Sequence, residues 1–230
     1  MVLTDRTPDR ESMVERQLKR RGIRDERVLD AFRSVPREAF VSQAVGEYAY
    51  EDSPLPIGEG QTISQPYIVA LMVEALGLRP TDRVLEVGAG SGYAAAILSR
   101  LAGRVYAIER NQRLAEEARD RLHRLGQDNV EVRSGDGTLG WPDAAPFDAI
   151  LVSAGGPGVP KPLLEQLAPG GRLVIPVGRP REQRLYRITR VGGGGSGDEW
   201  IREDLGSVAF VPLIGKGGWP AIAGEGGLSS

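Results

Sequence analysis

Apolar residues follow two patterns that alternate along the chain. Short continuous apolar runs, which favour buried parallel strands, lie at 83–87, 104–108, 130–133, 147–152 and 172–177. Between these runs, apolar residues recur every three or four positions, as on one face of a helix, after Pro66, after Tyr93 and from Asn111 to Gly126. This alternation predicts an α/β fold with a Rossmann-like, doubly wound and mostly parallel sheet.

Both ends of the chain depart from this alternation. Residues 1–12 are polar and we expect them to fray, while Ser12–Arg21 and a segment capped by Asp25 predict helices, so that 1–50 forms an N-terminal helical extension. Towards the other end, 184–191 and 199–205 flank the sequence GGGGSGD and predict a hairpin with a flexible tip. We expect 216–230 to be a disordered tail after a core at 67–215, the whole forming one domain.

The stretch 51–66, EDSPLPIGEGQTISQP, differs in composition from the rest of the chain. Its three prolines and two glycines are incompatible with a regular helix, yet it carries apolar residues beside short polar ones. Such a mixture suits an irregular active-site loop that packs over a site and presents hydroxyl and amide groups. A plain linker into the core is the alternative that composition leaves open.

Composition excludes several kinds of chemistry. The chain has no cysteine and one histidine, His123, so it has no thiolate nucleophile, no cysteine-ligated metal and no histidine cluster; we expect no metal site. His123 lies off the apolar stripe of its helix, which indicates a surface position. A net charge of −2 does not indicate a nucleic-acid partner. With no long apolar run and no apolar core of a signal peptide, we expect a cytoplasmic protein without membrane contact. We also expect a monomer.

A glycine turn follows the first strand of the α/β pattern. Gly88, Gly90 and Gly92 give the spacing G-x-G-x-G, with Glu86 two residues before the first glycine and Tyr93 where the dinucleotide fingerprint has its third glycine. The pattern is similar to motif I of the S-adenosylmethionine (SAM)-dependent methyltransferases. An ordinary glycine-rich turn and a nicotinamide-dependent oxidoreductase are the alternatives, and Tyr93 disfavours the second.

Three acidic residues come at the ends of consecutive strands. Glu86 ends the first, Glu109 ends the second and lies 21 residues after Gly88, and Asp136 follows the third in a Gly-Asp-Gly turn. In a doubly wound sheet these ends border the ligand cleft. Glu109 is placed to accept hydrogen bonds from ribose hydroxyls and Asp136 to bind an adenine amino group. Each acid alone could be a solvated loop residue or a helix cap.

Several longer motifs together resemble the protein-L-isoaspartate O-methyltransferase family. They are Val35–Val41 (VPREAFV), Leu55–Gly58 (LPIG), Gly60–Pro66 (GQTISQP), Leu85–Tyr93, Gly135–Gly137, Pro146–Ile150 and Phe210–Leu213 (FVPL). Motif I and the Gly-Asp-Gly turn occur in many methyltransferases, whereas GQTISQP together with LPIG is much more specific. The resemblance implies the class I methyltransferase fold and extends through nearly the whole chain.

The resemblance also implies a reaction and its residues. The reaction is methyl transfer from SAM to the α-carboxylate of L-isoaspartyl residues in damaged proteins, which leaves S-adenosyl-L-homocysteine and an ester that closes to a succinimide. It implies Ser64 as the catalytic residue, with Thr62 and Ile63 beside it at the substrate. The implied SAM-binding residues are Glu86, Gly88, Gly90, Ser91, Glu109, Asp136 and Gly137.

The chemistry of this reaction fits a chain with few nucleophiles. A carboxylate is ionised at pH 7 and a sulfonium methyl is already activated, so no general base or metal is needed. We hypothesise that the Ser64 hydroxyl orients the substrate carboxylate by donating a hydrogen bond. A methyltransferase for another acceptor, small molecule or nucleic acid, and a non-catalytic SAM-binding protein are the alternatives. The sequence Val152–Pro157 lacks the D/N/S-P-P-Y/F motif of enzymes that methylate base nitrogens.

Overall fold

A computed structural model describes residues 5–191 and 199–221, and it confirms a Rossmann-like α/β fold. The strands are β1 (Leu55–Gly58), β2 (Gln61–Ile63), β3 (Arg83–Val87), β4 (Arg104–Glu109), β5 (Val130–Ser134), β6 (Phe147–Val152), β7 (Leu167–Arg179), β8 (Glu182–Val191) and β9 (Glu199–Val208). The α-helices are α1 (Thr7–Met13), α2 (Glu26–Ser34), α3 (Pro66–Leu76), α4 (Tyr93–Ser99), α5 (Gln112–Arg124) and α6 (Lys161–Glu165).

Seven of the strands form one sheet in the order β5-β4-β3-β6-β7-β8-β9. The strands from β5 to β7 are parallel, and β8 and β9 add to the edge as antiparallel strands, as the predicted hairpin requires. The chain order reverses between β3 and β6, which lie side by side. The carboxyl ends of β3, β4 and β6 therefore meet at the position where sheets of this type bind ligands.

Side chains along the central strands alternate between the two faces of the sheet. Val84 and Leu151 pack in the apolar layer that also contains α3 and α4, whereas Leu85 and Ile150 pack in the layer on the opposite face. The period of two then places Glu86 on the same face as Val84, beneath α3 and α4. Strand geometry thus turns an acidic side chain into the interior, where Glu86 is only 1% exposed.

The N-terminal extension is more ordered than predicted. Helix α1 begins at Thr7, so the expected fraying of residues 1–12 is wrong from that residue on, and residues 1–4 lie outside the described part. The helix begins early because Pro8 occupies its first turn and Arg6 donates a 2.8 Å hydrogen bond to Asp9. It continues as a wider turn over Val14–Leu18 and a tighter one over Lys19–Arg21, ending at Gly22. Asp25 caps α2 as predicted.

The 51–66 stretch is more regular than expected. Instead of an irregular loop throughout, it forms the antiparallel pair β1 and β2, joined by a tight turn at residues 58–60. Gly58, Glu59 and Gly60 all have φ between 53° and 92°, a conformation that glycine adopts without strain. Two glycines that argue against a helix here serve to reverse the chain within three residues.

The predicted disordered tail is also ordered in its first part. Residues 216–221 are described: the backbone N–H of Trp219 donates to the carbonyl of Leu213 at 2.7 Å, and its indole N–H donates to the carbonyl of Gly155 at 3.0 Å. Trp219 thus anchors this glycine-rich segment to the rest of the domain. The rest of the predicted tail and the predicted 192–197 hairpin tip lie outside the described residues.

His123 is exposed on α5, as its place off the apolar stripe predicts. Within residues 5–191 and 199–221, every helix is too short or too polar to cross a lipid bilayer.

Candidate active site

The glycine turn after β3 is held against the end of β4. Gly88, Gly90 and Gly92 have φ values of 86°, 53° and 88°, so each adopts the left-handed conformation that the spacing predicts. The N–H groups of Gly88 and Ala89 both donate to the carbonyl of Ile108, at 2.8 and 3.1 Å. Gly88 and Gly90 of this turn line a cavity at the carboxyl ends of the strands.

Glu86 carries a buried carboxylate at the base of the turn. Its Oε2 atom accepts no hydrogen bond from any residue in the described part of the chain. Burial, and then the negative charge of Glu109, raise the pKa of Glu86 well above its usual range, while the Ser153 hydroxyl and the Ala95 N–H act in the opposite direction. An unpaired buried carboxylate oxygen favours a cationic ligand group beside it.

Glu109 closes the other side of the turn. Its Oε2 accepts the N–H of Gly90 at 2.8 Å and its Oε1 accepts the N–H of Asn111 at 2.9 Å. Each carboxylate oxygen has a further lone pair, and Glu109 lines a cavity of about 400 Å³ together with Gly88, Gly90 and Gly137. The predicted role of Glu109 as an acceptor of ribose hydroxyls stays a prediction.

Asp136, unlike Glu109, does not line the 400 Å³ cavity. Its carboxylate is turned towards the C-terminal segment: Oδ1 accepts from the N–H and hydroxyl of Thr138 at 2.9 and 2.6 Å, and Oδ2 accepts the N–H of Lys216 at 2.8 Å. The side chain is absent from the lining of the 400 Å³ cavity, although the adjacent Gly137 belongs to it. The predicted contact with adenine stays a prediction.

Gly137 and Ser91 complete the predicted set around the turn. A methyl group on Gly137 would lie 2.5 Å from Cγ1 of Val87, so only glycine allows this turn to approach β3 so closely. Ser91 is 5% exposed and lines a small inner pocket of about 40 Å³ instead of the larger cavity. Its carbonyl accepts a 2.8 Å hydrogen bond from Arg121 on α5.

Ser64 lies where two cavities come together. It lines the 40 Å³ inner pocket, which Glu86, Tyr93 and the glycine turn also line, and it lines an outer cleft of about 780 Å³. Its neighbour Thr62 lines both of these cavities and the 400 Å³ cavity as well, whereas Ile63 is buried and lines only the inner pocket. Ser64, the residue predicted to act on the substrate, thus borders both the inner pocket and the outer cleft.

The site contains two further residues, which sequence reasoning did not single out. Ser153 follows β6 and lines all three cavities; its place directly after a buried strand was the signal available. Glu59, at the tip of the β1–β2 turn, accepts from the Asn111 side chain at 3.1 Å and pairs with Arg113 at 3.3 Å. These two contacts connect the β1–β2 hairpin to the beginning of α5, and no sequence motif indicated them.

Comparison with known proteins agrees with this geometry. Residues 9–218 match the family described as protein-L-isoaspartate(D-aspartate) O-methyltransferase (PCMT). The chain is 61% identical over 211 residues to protein-L-isoaspartate O-methyltransferase 2 of Pelobacter propionicus, covering 91% of this chain and 92% of that protein.

Solved structures agree as well. A protein-L-isoaspartate O-methyltransferase structure has a TM-score of 0.82 and 32% identity, covering 91% of this chain and 67% of the other. A Plasmodium falciparum structure described as a putative member, in complex with S-adenosyl-L-homocysteine, has a TM-score of 0.76 and 29% identity, covering 89% and 98%. The chain therefore belongs to the protein-L-isoaspartate(D-aspartate) O-methyltransferase family.

Proposed function

We propose that Ser64 positions the α-carboxylate of an L-isoaspartyl residue for methylation, at the junction between the inner pocket and the outer cleft. The observation that carries this proposal is the double placement of Ser64, which lines the pocket beside Glu86 and the cleft open to a protein substrate. Thr62 and Ile63 form the adjoining wall. The reaction is the family's own: a methyl group passes from SAM to the isoaspartyl carboxylate, which initiates repair through a succinimide.

The residues around the glycine turn fit SAM. The unpartnered, buried Oε2 of Glu86 suits the positive charge of the methionine portion, and the 400 Å³ cavity bordered by Glu109 suits the nucleoside. Gly88, Gly90, Ser91 and Gly137 supply backbone at close range, and Asp136 holds the segment beside it. When bound, SAM supplies a methyl group activated by a positively charged sulfur.

The protein's part in the reaction is orientation and exclusion of water. The substrate carboxylate is already ionised at neutral pH, so no protein group has to remove a proton. The Ser64 hydroxyl donates a hydrogen bond to one carboxylate oxygen and leaves the other directed at the methyl carbon. Ser64 is half-buried, and a substrate peptide that fills the outer cleft would displace water from that point.

The test is methyl transfer from labelled SAM to two matched peptides, one with L-isoaspartate and one with L-aspartate. We expect base-labile label on the isoaspartyl peptide alone, and we expect Ser64→Ala to lower kcat/KM by about 100-fold or more, as loss of an orienting contact does. Ser42→Ala is the matched control, because Ser42 is exposed and outside all three cavities. Unchanged kcat/KM in Ser64→Ala would overturn the role of Ser64.

A second measurement separates catalysis from binding. SAM affinity is measured on Ser64→Ala by calorimetry, and we expect it to be close to that of the unmodified enzyme. If the unmodified protein binds SAM but labels neither peptide, it is a binding protein that keeps the fold, and the repair function falls.

The setting of the reaction is part of the proposal. We propose that the enzyme acts as a monomer. We propose that it works in the cytoplasm on aged proteins and has no nucleic-acid partner. Size-exclusion chromatography with light scattering tests the first statement, and cell fractionation tests the second.

A further inference from the structure

The outer cleft has an uneven distribution of charge. One wall comes from the β1–β2 hairpin with Ser64, and the other from the β7–β8 turn and from residues 207–212 after β9. Most of its lining is apolar or small and polar, including Ile68, Val208 and Phe210. Among the described residues that line it, Arg181 is the single ionisable side chain.

Arg181 is set in a tight turn. The pairing of Arg179 with Glu182 leaves Pro180 and Arg181 as a two-residue connection between β7 and β8. Arg181 has a φ of 67°, a conformation that glycine would adopt more easily, yet the chain has an arginine there. The short turn fixes the backbone of Arg181 beside the cleft that the residue lines.

The guanidinium of Arg181 is available to a ligand. It is exposed, and it has no hydrogen bond or ion pair with any residue in 5–191 or 199–221. Further along β8, by contrast, Arg184 pairs with Asp204 at 2.8 Å and Arg187 pairs with Glu203. An exposed cation that has no partner among the described residues can pair with an incoming anion, and such an exposed pair contributes a modest amount to binding.

We propose that Arg181 binds a second carboxylate of the substrate, distinct from the one that is methylated. This inference rests on the proposed function, since it concerns the peptide that the cleft accepts. The second carboxylate belongs to an acidic side chain near the isoaspartyl residue or to the C-terminus of the peptide. Arginine holds either one through two parallel N–H donors.

The methylated carboxylate itself is the less suitable partner. Ser64 lines both the inner pocket with Glu86 and the outer cleft, whereas Arg181 lines only the cleft. A carboxylate held by both arms of a guanidinium would have its oxygens engaged by donors and would be drawn away from Ser64. Arg181 therefore acts on substrate choice, while Ser64 acts on the reacting group.

The test uses a set of short isoaspartyl peptides. One has neutral neighbours and an amidated C-terminus; the others add a glutamate before the isoaspartate, a glutamate after it, or a free C-terminal carboxylate. We expect at least one acidic peptide to have a KM about two- to fivefold below that of the neutral peptide, as one partly exposed ion pair allows. The preference should weaken at high salt.

Two variants assign the effect to one residue. In Arg181→Gln the ratio of kcat/KM between acidic and neutral peptides should fall to about one, and Arg181→Glu should reverse it in favour of a lysine-containing peptide. Arg179→Gln is the matched control: Arg179 is also exposed and lies two residues earlier, but it does not line the cleft. It should keep the preference of the unmodified enzyme.

The outcomes separate this inference from the proposed function. If the neutral peptide is methylated but no acidic peptide is preferred, the role of Arg181 is wrong and the function stands. An equal loss of kcat/KM on all peptides in Arg181→Gln would also overturn it, because Arg181 would then bind the methylated carboxylate or support the fold. If no isoaspartyl peptide is methylated, both proposals fall.

Discussion

The Oδ2 atom of Asp136 accepts a 2.8 Å hydrogen bond from the backbone N–H of Lys216, 80 residues further along the chain. The next residue, Gly217, donates to the Thr138 hydroxyl at 2.9 Å, and that hydroxyl itself donates to Asp136. The acid after β5 therefore fastens the C-terminal segment. Because Leu213 and Ile214 of this segment line the 400 Å³ cavity, these hydrogen bonds help to shape the proposed SAM site.

Asp136→Asn should loosen this segment and weaken SAM binding. The variant replaces a carboxylate that accepts three hydrogen bonds by an amide with one acceptor oxygen, and hydrogen bonds to charged groups contribute about 1.5–3 kcal/mol. We expect the free energy of unfolding to fall by about 1–3 kcal/mol and the Kd for SAM to rise. Asp120→Asn, on the exposed face of α5, removes the same charge and should change neither. Calorimetry and denaturant titration check both.

Asp136 should also make the stability of the protein depend on pH. Burial alone would raise the pKa of Asp136, but the hydrogen bonds from Thr138 and Lys216 lower it below 3.8. A carboxyl group with a lowered pKa stabilises the fold above the unfolded value, and that stabilisation is lost as the pH falls through the folded value. Stability curves of the unmodified protein and of Asp136→Asn should therefore converge below about pH 4. Parallel curves down to pH 2 would contradict the assignment.

The sequence predicted most of the sheet because local patterns determine it. The run 83–87 and the spacing of Gly88, Gly90 and Gly92 depend only on neighbouring residues, and the structure confirms both. The β1–β2 pair was missed because its pairing depends on a turn of three left-handed residues, of which one, Glu59, is not glycine. The ordered start of the tail was missed because Trp219 finds its partner, Gly155, 64 residues away.

Side-chain burial was harder to predict than backbone. Arg37 belongs to a motif that was read for its family resemblance alone, yet it is fully buried and its Nε donates to the carbonyl of Ala49 at 2.8 Å. Arginine is rarely fully buried in folded proteins, so its residue type gives no reason to expect Arg37 in the interior. The roles of the site residues stay predictions until variants are measured.

Arg37→Ala should cost much more stability than most arginine substitutions. Its guanidinium lies 5.0 Å from the ring centre of Tyr93, which borders the inner pocket, and burial lowers the pKa of Arg37 although nearby Tyr93 opposes this. The variant leaves a cavity and an unpaired carbonyl, so we expect a loss of about 3–5 kcal/mol in the free energy of unfolding. Arg20→Ala, at an exposed position, should lose less than about 1 kcal/mol. Equal losses would show that the burial of Arg37 contributes little.

Gly137→Ala should disturb the cofactor site through a steric contact. The added methyl group would lie 2.5 Å from Cγ1 of Val87, a β-branched side chain that has little freedom to rotate away. We expect a loss of about 1–3 kcal/mol in stability and a higher Kd for SAM, measured by thermal unfolding and calorimetry.

A second substitution tests the cause in Gly137→Ala. Val87→Ala removes the atom that clashes, so the double variant should recover part of the lost SAM affinity if the contact is responsible. Gly158→Ala is the control, because nothing lies within 4 Å of the added methyl group. Failure of Val87→Ala to recover any affinity would point instead to a change in the backbone of the Gly-Asp-Gly turn.

Glu86→Gln should make the ligand-free protein more stable and the SAM complex weaker. A carboxyl group whose folded pKa is raised stabilises the fold below its unfolded value of 4.5, and that contribution is lost as the pH rises through the folded value. At pH 7–8 the unpaired Oε2 therefore opposes folding, and the neutral amide should raise Tm by about 2–4 °C per kcal/mol recovered.

The same substitution removes the charge that favours the cationic methionine portion, so SAM affinity should fall more than affinity for S-adenosyl-L-homocysteine. Thermal unfolding between pH 4 and pH 9, with and without each ligand, measures both effects. A lower Tm for ligand-free Glu86→Gln at pH 8 would contradict this account.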